Sequence, residues 1–133
     1  MVSIIIPTRD RKELLGPCID SLGSALLGYP GQTEIIIVDN DTTEPDAKAL
    51  LTHIAQTSRG RVLRFGGPFN WSAMNNFAAE QARGEVLIFL NNDTLALSEG
   101  WCTEPRARHR DRMSGRSVHG CFMRTARSSM RAL

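Results

Sequence analysis

The sequence has few cysteines, and their spacing does not suit a disulfide framework or a zinc site. There are three, Cys18, Cys102 and Cys121, and no two of them form a Cys-x-x-Cys pair. An odd count argues against a fully paired disulfide framework, and the spacing argues against the common zinc sites. We therefore expect buried free thiols.

Long apolar runs are also missing. No segment approaches the roughly 20 apolar residues that a transmembrane helix requires, and residues 2–6 are too few for the core of a signal peptide. We expect a cytoplasmic protein that is at most peripheral to the inner face of the membrane. With 133 residues, of which 41% are hydrophobic and 23% charged, the composition is that of one globular domain.

Two glycine-rich signatures of phosphate binding are absent. The sequence contains neither Gly-x-Gly-x-x-Gly nor a Gly-Lys-Ser/Thr loop, which argues against the usual dinucleotide and P-loop cradles. Gly66 and Gly67 are better explained by a turn. A diphosphate bound without such a cradle needs a cation to offset its charge.

Apolar strands alternate with amphipathic helices along the first hundred residues. The pattern predicts strands at 2–6, 34–38, 61–65 and 86–90, and helices at 11–26, 46–57 and 72–83. This alternation implies parallel pairing with right-handed crossovers. We predict an α/β fold with a Rossmann-like, mostly parallel sheet and flanking helices.

Local signals suggest where these elements begin and end. Pro7 should end the first strand because it cannot donate to a ladder. Asp10 and Glu13 have the spacing of a capping box for the first helix, which Pro17 should bend or interrupt. Ser72 is the expected cap of the third helix.

Polar residues follow three of the strands, at 7–8, 39–40 and 91–93. The carboxyl ends of parallel strands share one edge of the sheet, so these three clusters should converge there. Taken alone, residues 91–94 are better explained as a simple turn. Beside the other two clusters, Asp93 becomes a candidate to hold Mg²⁺ or Mn²⁺ against a diphosphate.

Four motifs in order carry a family resemblance: residues 3–8, 34–40, 69–76 and 89–94. They resemble family 2 glycosyltransferases of the GT-A fold, over the nucleotide-sugar-binding half of that domain, here residues 1–101. The resemblance is greatest to bacterial transferases, including rhamnosyl-type enzymes, that build cell-surface polysaccharide. It implies transfer of a sugar from a UDP- or dTDP-sugar to a hydroxyl of a saccharide or lipid-linked acceptor, assisted by Mg²⁺ or Mn²⁺.

The resemblance also implies roles for individual residues near the nucleotide. Pro7 and Thr8 would line the nucleoside pocket, and Asp39 would hold the base or the ribose. Asn76 occupies the position of the family's asparagine near the donor.

Residues 91–93 occupy the family's metal motif, and the match there is incomplete. Asn92 and Asp93 fall on the Asp-x-Asp position, with Asn91 in place of the first acid. One carboxylate fewer should weaken intrinsic metal binding and leave more of the coordination to the diphosphate. Asp93 is the metal ligand that the resemblance implies.

The tail, residues 102–133, departs from the family pattern. Residues 1–100 carry a net charge of −4, whereas residues 101–133 contain eight arginines, no lysine and two acids. A poorly ordered basic arm, a nucleic-acid contact and translation in a shifted reading frame are the three alternatives. A one-base shift of the reading frame permits a family-like continuation from residue 112. Because methionine has a single codon, few residues are possible in the shifted frame after Met113, Met123 and Met130, and at each of the three positions a residue that fits the family is allowed.

A shifted frame would remove the half of the domain that holds the family's catalytic base and acceptor site. We assign no catalytic residue, and we expect a truncated and inactive glycosyltransferase that retains its donor half. The alternatives are a non-catalytic module that binds a nucleotide or nucleotide sugar and, least favoured, a nucleic-acid-binding protein acting through the basic tail.

Overall fold

The computed structural model describes residues 1–96 and, beyond them, the backbone of four short strands at 108–110, 117–119, 123–125 and 130–131. Cys102, Cys121 and most of the tail, for which poor order is expected, lie outside the described residues.

Four parallel strands and three helices form the body of the domain. In chain order these are β1 (Val2–Thr8), α1 (Lys12–Ala25), β2 (Thr33–Asp39), α2 (Pro45–Gln56), β3 (Gly60–Arg64), α3 (Trp71–Gln81) and β4 (Val86–Phe89). The strands lie side by side in the order β3-β2-β1-β4, and each neighbouring pair is parallel. The predicted Rossmann-like α/β fold is confirmed.

Short strands follow β4. They are β5 (Thr94–Leu95), β6 (Arg108–Arg110), β7 (Ser117–His119), β8 (Met123–Thr125) and β9 (Met130–Arg131). β7 pairs parallel with β4 and antiparallel with β6, while β5, β8 and β9 form a small antiparallel sheet. The main sheet therefore continues past β4.

Alternate side chains of each strand point to opposite faces of the sheet, so continuously apolar strands make both faces apolar. One face packs against α1 and α2, and the cluster buried between them includes Ile4, Ile6 and Ile37 of the sheet with Leu22 and Leu51 of the helices. The other packs against α3, with Ile5, Ile36, Val38, Met74 and Ala78. Each fully buried aliphatic side chain contributes roughly 1.5–3 kcal/mol relative to an exposed one, so these two layers hold the strand ends in fixed positions.

The prediction that Pro7 ends the first strand is wrong, since β1 continues through Thr8. The amide of Leu90 donates to Ile5 and that of Asn40 to Thr8, so odd-numbered positions of β1 face β4 and even-numbered positions face β2. β4 ends at Phe89, opposite Ile5. The missing N–H of Pro7 therefore faces the side on which no strand partner remains, and the ladder loses nothing.

Helix α1 shows neither the interruption that was one of the two outcomes expected at Pro17 nor the expected capping box. The helix is not interrupted at Pro17, which lies on its exposed side, where water can reach the carbonyl that has lost its partner. The expected capping box does not form either. Arg11 occupies the N-cap position without a side-chain cap, and its guanidinium pairs with Glu13 at 2.7 Å.

The N-cap of helix α3 lies two residues earlier than expected. Its N-cap is Asn70, whose side-chain oxygen accepts a hydrogen bond from the Ala73 amide at 3.0 Å. Ser72, the expected cap, lies within the first turn. Asn and Ser are comparable caps, and here the asparagine is the one that lies at the change in chain direction.

Candidate functional site

The carboxyl ends of β1, β2 and β4 bring three of the predicted site residues together. Thr8 and Asp39 are register partners at the ends of β1 and β2, and both are buried. From the loop after β4, Asn92 donates from Nδ2 to the hydroxyl oxygen of Thr8 at 3.2 Å. We call this edge of the sheet, with Thr8, Asp39 and Asn92, the rim, and it is the candidate site. Asp93 follows Asn92 in the same loop.

Asp39 is held in place by the turn that follows it. Its Oδ1 accepts a hydrogen bond from the Thr42 amide at 3.1 Å, and 7% of the residue is exposed. The next residue, Asn40, is fully buried and donates from Nδ2 to the carbonyl oxygens of Phe65 and Gly67, both at 2.9 Å. The turn after β2 thereby fixes the loop after β3, and both loops border the rim.

Residues 91–94 form the turn that the sequence suggested, and the turn also presents a carboxylate oxygen that lacks a partner. The Thr94 amide donates to the Asn91 carbonyl at 3.2 Å, which closes the turn. Oδ1 of Asp93 is buried and has no hydrogen-bond partner in the described part of the chain. Such an atom is costly to bury unless something binds it. Within residues 1–96 and the four later strands, no group of three or more His, Cys, Asp or Glu side chains could hold a metal ion.

Cys18 of helix α1 lies beneath this turn. Its sulfur is 3.9 Å from the Asn91 carbonyl oxygen, and the residue is fully buried. Burial raises the pKa of the Cys18 thiol to about 12; the Asp93 charge acts in the same direction, and a hydrogen bond from the Thr94 amide opposes it. The thiol is therefore protonated at neutral pH, as expected for a buried free cysteine.

The remaining predicted residues have different surroundings. Pro7 is buried opposite Val38 and contributes backbone to the rim. Asn76 is exposed on α3, and within residues 1–96 it makes no hydrogen bond to the rim. Its neighbour Asn75 is buried, donates to the Trp71 carbonyl at 3.0 Å and leaves its own Oδ1 without a partner among the described residues. The role of Asn76 stays a prediction.

Asp10 is a residue whose role the sequence did not reveal. Its Oδ1 accepts hydrogen bonds from the amides of Thr43 and Glu44, at 2.7 and 2.9 Å, so it holds the segment that leads into α2 instead of capping α1. Its own amide donates to the Thr42 hydroxyl at 3.1 Å. The bonds from the Glu44 and Thr43 amides lower the pKa of Asp10. No local motif announces these bonds, because their partners are more than 30 positions apart.

This arrangement of strands and rim residues can be compared with known proteins. The sequence model described as "Glycosyl transferase family 2" matches residues 3–109. The chain belongs to glycosyl transferase family 2. The resemblance noted in the sequence is thereby confirmed.

Curated relatives of this family 2 chain include proteins of polysaccharide synthesis. Over 103 residues it is 43% identical to "O-antigen biosynthesis protein RfbC" of Myxococcus xanthus, a match covering 77% of this chain and 8% of that protein. Over 102 residues it is 29% identical to "Poly(ribitol-phosphate) beta-glucosyltransferase" of Bacillus spizizenii, covering 74% and 16%. The chain thus spans a small part of each relative's length.

Solved structures show the same fold. The S. aureus TarS fragment 1–349 superposes with a TM-score of 0.57 at 20% identity, covering 77% of this chain and 30% of that one. The same fragment in complex with UDP-GlcNAc gives a TM-score of 0.56 at 20% identity, covering 77% and 29%. At this identity the likeness establishes the GT-A type of fold for the family 2 domain. In the described part of the chain, no helix is both long enough and apolar enough to span a bilayer.

Proposed function

We propose that this chain binds a nucleotide-diphosphate sugar at the rim, as the donor-binding part of a glycosyltransferase that acts in bacterial cell-surface polysaccharide synthesis. The observation that carries the proposal is the meeting of Thr8, Asp39 and Asn92, followed by the unpartnered carboxylate oxygen of Asp93. Asp39 would hold the base or ribose, and the turn with Asp93 would face the diphosphate. The UDP-GlcNAc complex of TarS supports this class of donor, and a UDP- or dTDP-sugar is the donor we propose.

A divalent cation, Mg²⁺ or Mn²⁺, fits the turn after β4. The buried Oδ1 of Asp93 lacks a partner among the described residues, and a hard cation prefers such oxygen ligands. Asn92 is engaged with Thr8, and Asn91 offers no carboxylate, so Asp93 supplies the one protein charge in this turn. When bound, the ion would offset the charge of the departing diphosphate. We therefore expect the ion to bind together with the nucleotide rather than before it.

The acceptor would be a hydroxyl of a saccharide or of a lipid-linked sugar. We propose further that the 133-residue polypeptide does not transfer sugar, because a shifted reading frame in its tail would replace the family's acceptor-binding half. Sequencing the coding DNA past codon 101 tests this. Early stop codons in the alternate frame would contradict the frame hypothesis, and sugar transfer by the purified polypeptide would contradict the inactivity.

Calorimetric titration tests the donor site directly. We expect UDP or dTDP to bind the wild-type polypeptide at least about tenfold more tightly with Mn²⁺ than without it, a difference of about 1.4 kcal/mol. Asp93→Asn should abolish the Mn²⁺ effect while leaving metal-free binding intact. Asp20→Asn, an exposed carboxylate on α1, is the matched control and should behave as wild type. Binding that is indifferent to Mn²⁺, or equal in Asp93→Asn and wild type, would contradict the metal assignment.

A further inference from the structure

Three hydrogen bonds join the loop after β1 to the turn after β2. The Asp10 carboxylate accepts from the amides of Thr43 and Glu44, and the Asp10 amide donates to the Thr42 hydroxyl. We call these four residues the loop bridge. Asp10 both donates and accepts in these bonds, so the loop bridge ties the loop that follows β1 to the turn that follows β2.

The loop bridge connects directly to Asp39. Thr42 receives the Asp10 amide on its hydroxyl, and its own amide donates to Oδ1 of Asp39 at 3.1 Å. Thr42 and Asp39 are both 7% exposed, so neither side chain has room to adjust independently. The position of the Asp39 carboxylate therefore depends on where Asp10 holds the turn.

The backbone on both sides of the bridge needs such support. Asp10, Arg11 and Asp41 have positive φ values of 51°, 58° and 53°. The left-handed region is uncommon for residues other than glycine, and it persists where surrounding contacts enforce it. Loss of the bridge would let both loops relax toward ordinary conformations and would move the turn that holds Asp39.

We propose that Asp10 is a positioning residue for the nucleoside end of the donor site, acting through Thr42 on Asp39. The inference rests on the proposed function, since it assigns Asp39 to the base or ribose. Both bonds to the Asp10 side chain use one oxygen as acceptor, so the bridge needs an oxygen at that position and no negative charge. Asparagine should therefore replace aspartate, and alanine should not.

The test compares Asp10→Ala, Asp10→Asn and Asp46→Ala in the full 133-residue chain. Asp46 is an exposed acid in the first turn of α2, so its removal takes a favourable charge from the same helix end and leaves the loop bridge in place. Affinity for UDP, and separately for the complex of Mn²⁺ with inorganic pyrophosphate, is measured by calorimetry. Amide chemical shifts of residues 42–44 report the bridge itself.

We expect Asp10→Ala to weaken UDP binding about five- to tenfold, the scale set by the net loss of an intramolecular hydrogen bond. Affinity for Mn²⁺-pyrophosphate should be unchanged, because that ligand uses the Asp93 end of the rim. Asp10→Asn and Asp46→Ala should bind both ligands as wild type does. If Asp10→Ala is too unstable to purify, Thr42→Val, which removes the acceptor for the Asp10 amide, should shift UDP affinity in the same direction.

The outcomes separate this inference from the proposed function. Wild-type protein that binds neither UDP nor dTDP overturns both, and if only dTDP binds, the same comparison is made with dTDP. Wild-type binding with equal UDP affinity in Asp10→Ala overturns the positioning role alone. If Asp10→Ala weakens the binding of UDP and of Mn²⁺-pyrophosphate equally, the site has loosened as a whole. If Asp10→Asn does not bind UDP as wild type does, the position needs a negative charge. Either result also overturns the positioning role.

Discussion

Replacing Glu34 by alanine tests how the sheet and helix α3 are held together at the edge opposite the rim. The Glu34 carboxylate accepts hydrogen bonds from the Ser3 hydroxyl at 2.6 Å, from the Arg83 amide at 2.7 Å and from Arg61 at 2.9 Å. Ser3 in turn accepts from the Gly84 amide at 2.8 Å. One carboxylate thus joins β1, β2, β3 and the segment that follows α3.

The magnitude follows from the burial of this group. Glu34 is 3% exposed, and breaking a buried ion pair by removing one partner costs about 3–5 kcal/mol. The Arg61 side chain is 27% exposed, so water can partly solvate it after the change, and we take the lower end, about 3 kcal/mol. For a domain of this size that corresponds to a fall in Tm of roughly 10–15 °C.

Thermal and denaturant unfolding of Glu34→Ala measures this loss. Glu80→Ala, which removes an exposed acid from α3, is the matched control and should change stability by no more than about 0.5 kcal/mol. A Glu34→Ala protein as stable as the Glu80→Ala control would refute the reasoning. It would mean that the buried, hydrogen-bonded carboxylate of Glu34 contributes no more to the free energy of unfolding than an exposed carboxylate does.

The dependence on pH gives a second readout of the same group. Burial raises the pKa of Glu34, but the hydrogen bonds from Ser3, Arg83 and Arg61 outweigh it and hold that pKa below its ordinary value of 4.5. A carboxyl whose pKa is lowered by folding stabilises the protein above its unfolded pKa and loses that contribution as pH falls through the folded value. The stability difference between wild type and Glu34→Gln should therefore narrow below about pH 4.5. A constant difference down to pH 3 would contradict the assignment.

Two further predictions follow from local structure. Asn70→Ala should lower the free energy of unfolding by about 1 kcal/mol because it removes the cap of α3, whereas Ser72→Ala should have no measurable effect; equal losses by denaturant unfolding would contradict the capping assignment. In a variant with Cys102 and Cys121 replaced by serine, Cys18 should resist a thiol reagent at pH 8 until the protein unfolds, because the thiol is buried and its pKa is raised to about 12; rapid labelling of the folded protein would refute this.

The strands were predictable from the sequence because they are covered on both faces. Runs such as residues 4–6 and 35–38 are continuously apolar and β-branched, which is typical of strands buried in a parallel sheet. Once the strands alternate with helices, parallel topology places their carboxyl ends on one edge. The meeting of Thr8 and Asp39 could therefore be anticipated without coordinates.

The hydrogen bonds of the loops could not be anticipated in the same way. Asp10 has the spacing of a cap for the helix that follows it, yet the left-handed backbone at residues 10 and 11 turns its carboxylate toward α2. Asn70 and Ser72 are both good caps, and the chain direction at the start of α3 decides between them. Such choices depend on contacts between segments far apart in sequence, so local motifs carry little information about them.

The most direct test of the account is to map bound Mn²⁺-UDP on the protein by paramagnetic broadening of backbone amide resonances. The central claim predicts the strongest broadening at Thr8, Asp39 and residues 91–94, with Ser3 and Glu34 at the opposite edge of the sheet unaffected. Broadening centred away from the rim, or no specific broadening when Mn²⁺ is present with either UDP or dTDP, would contradict it.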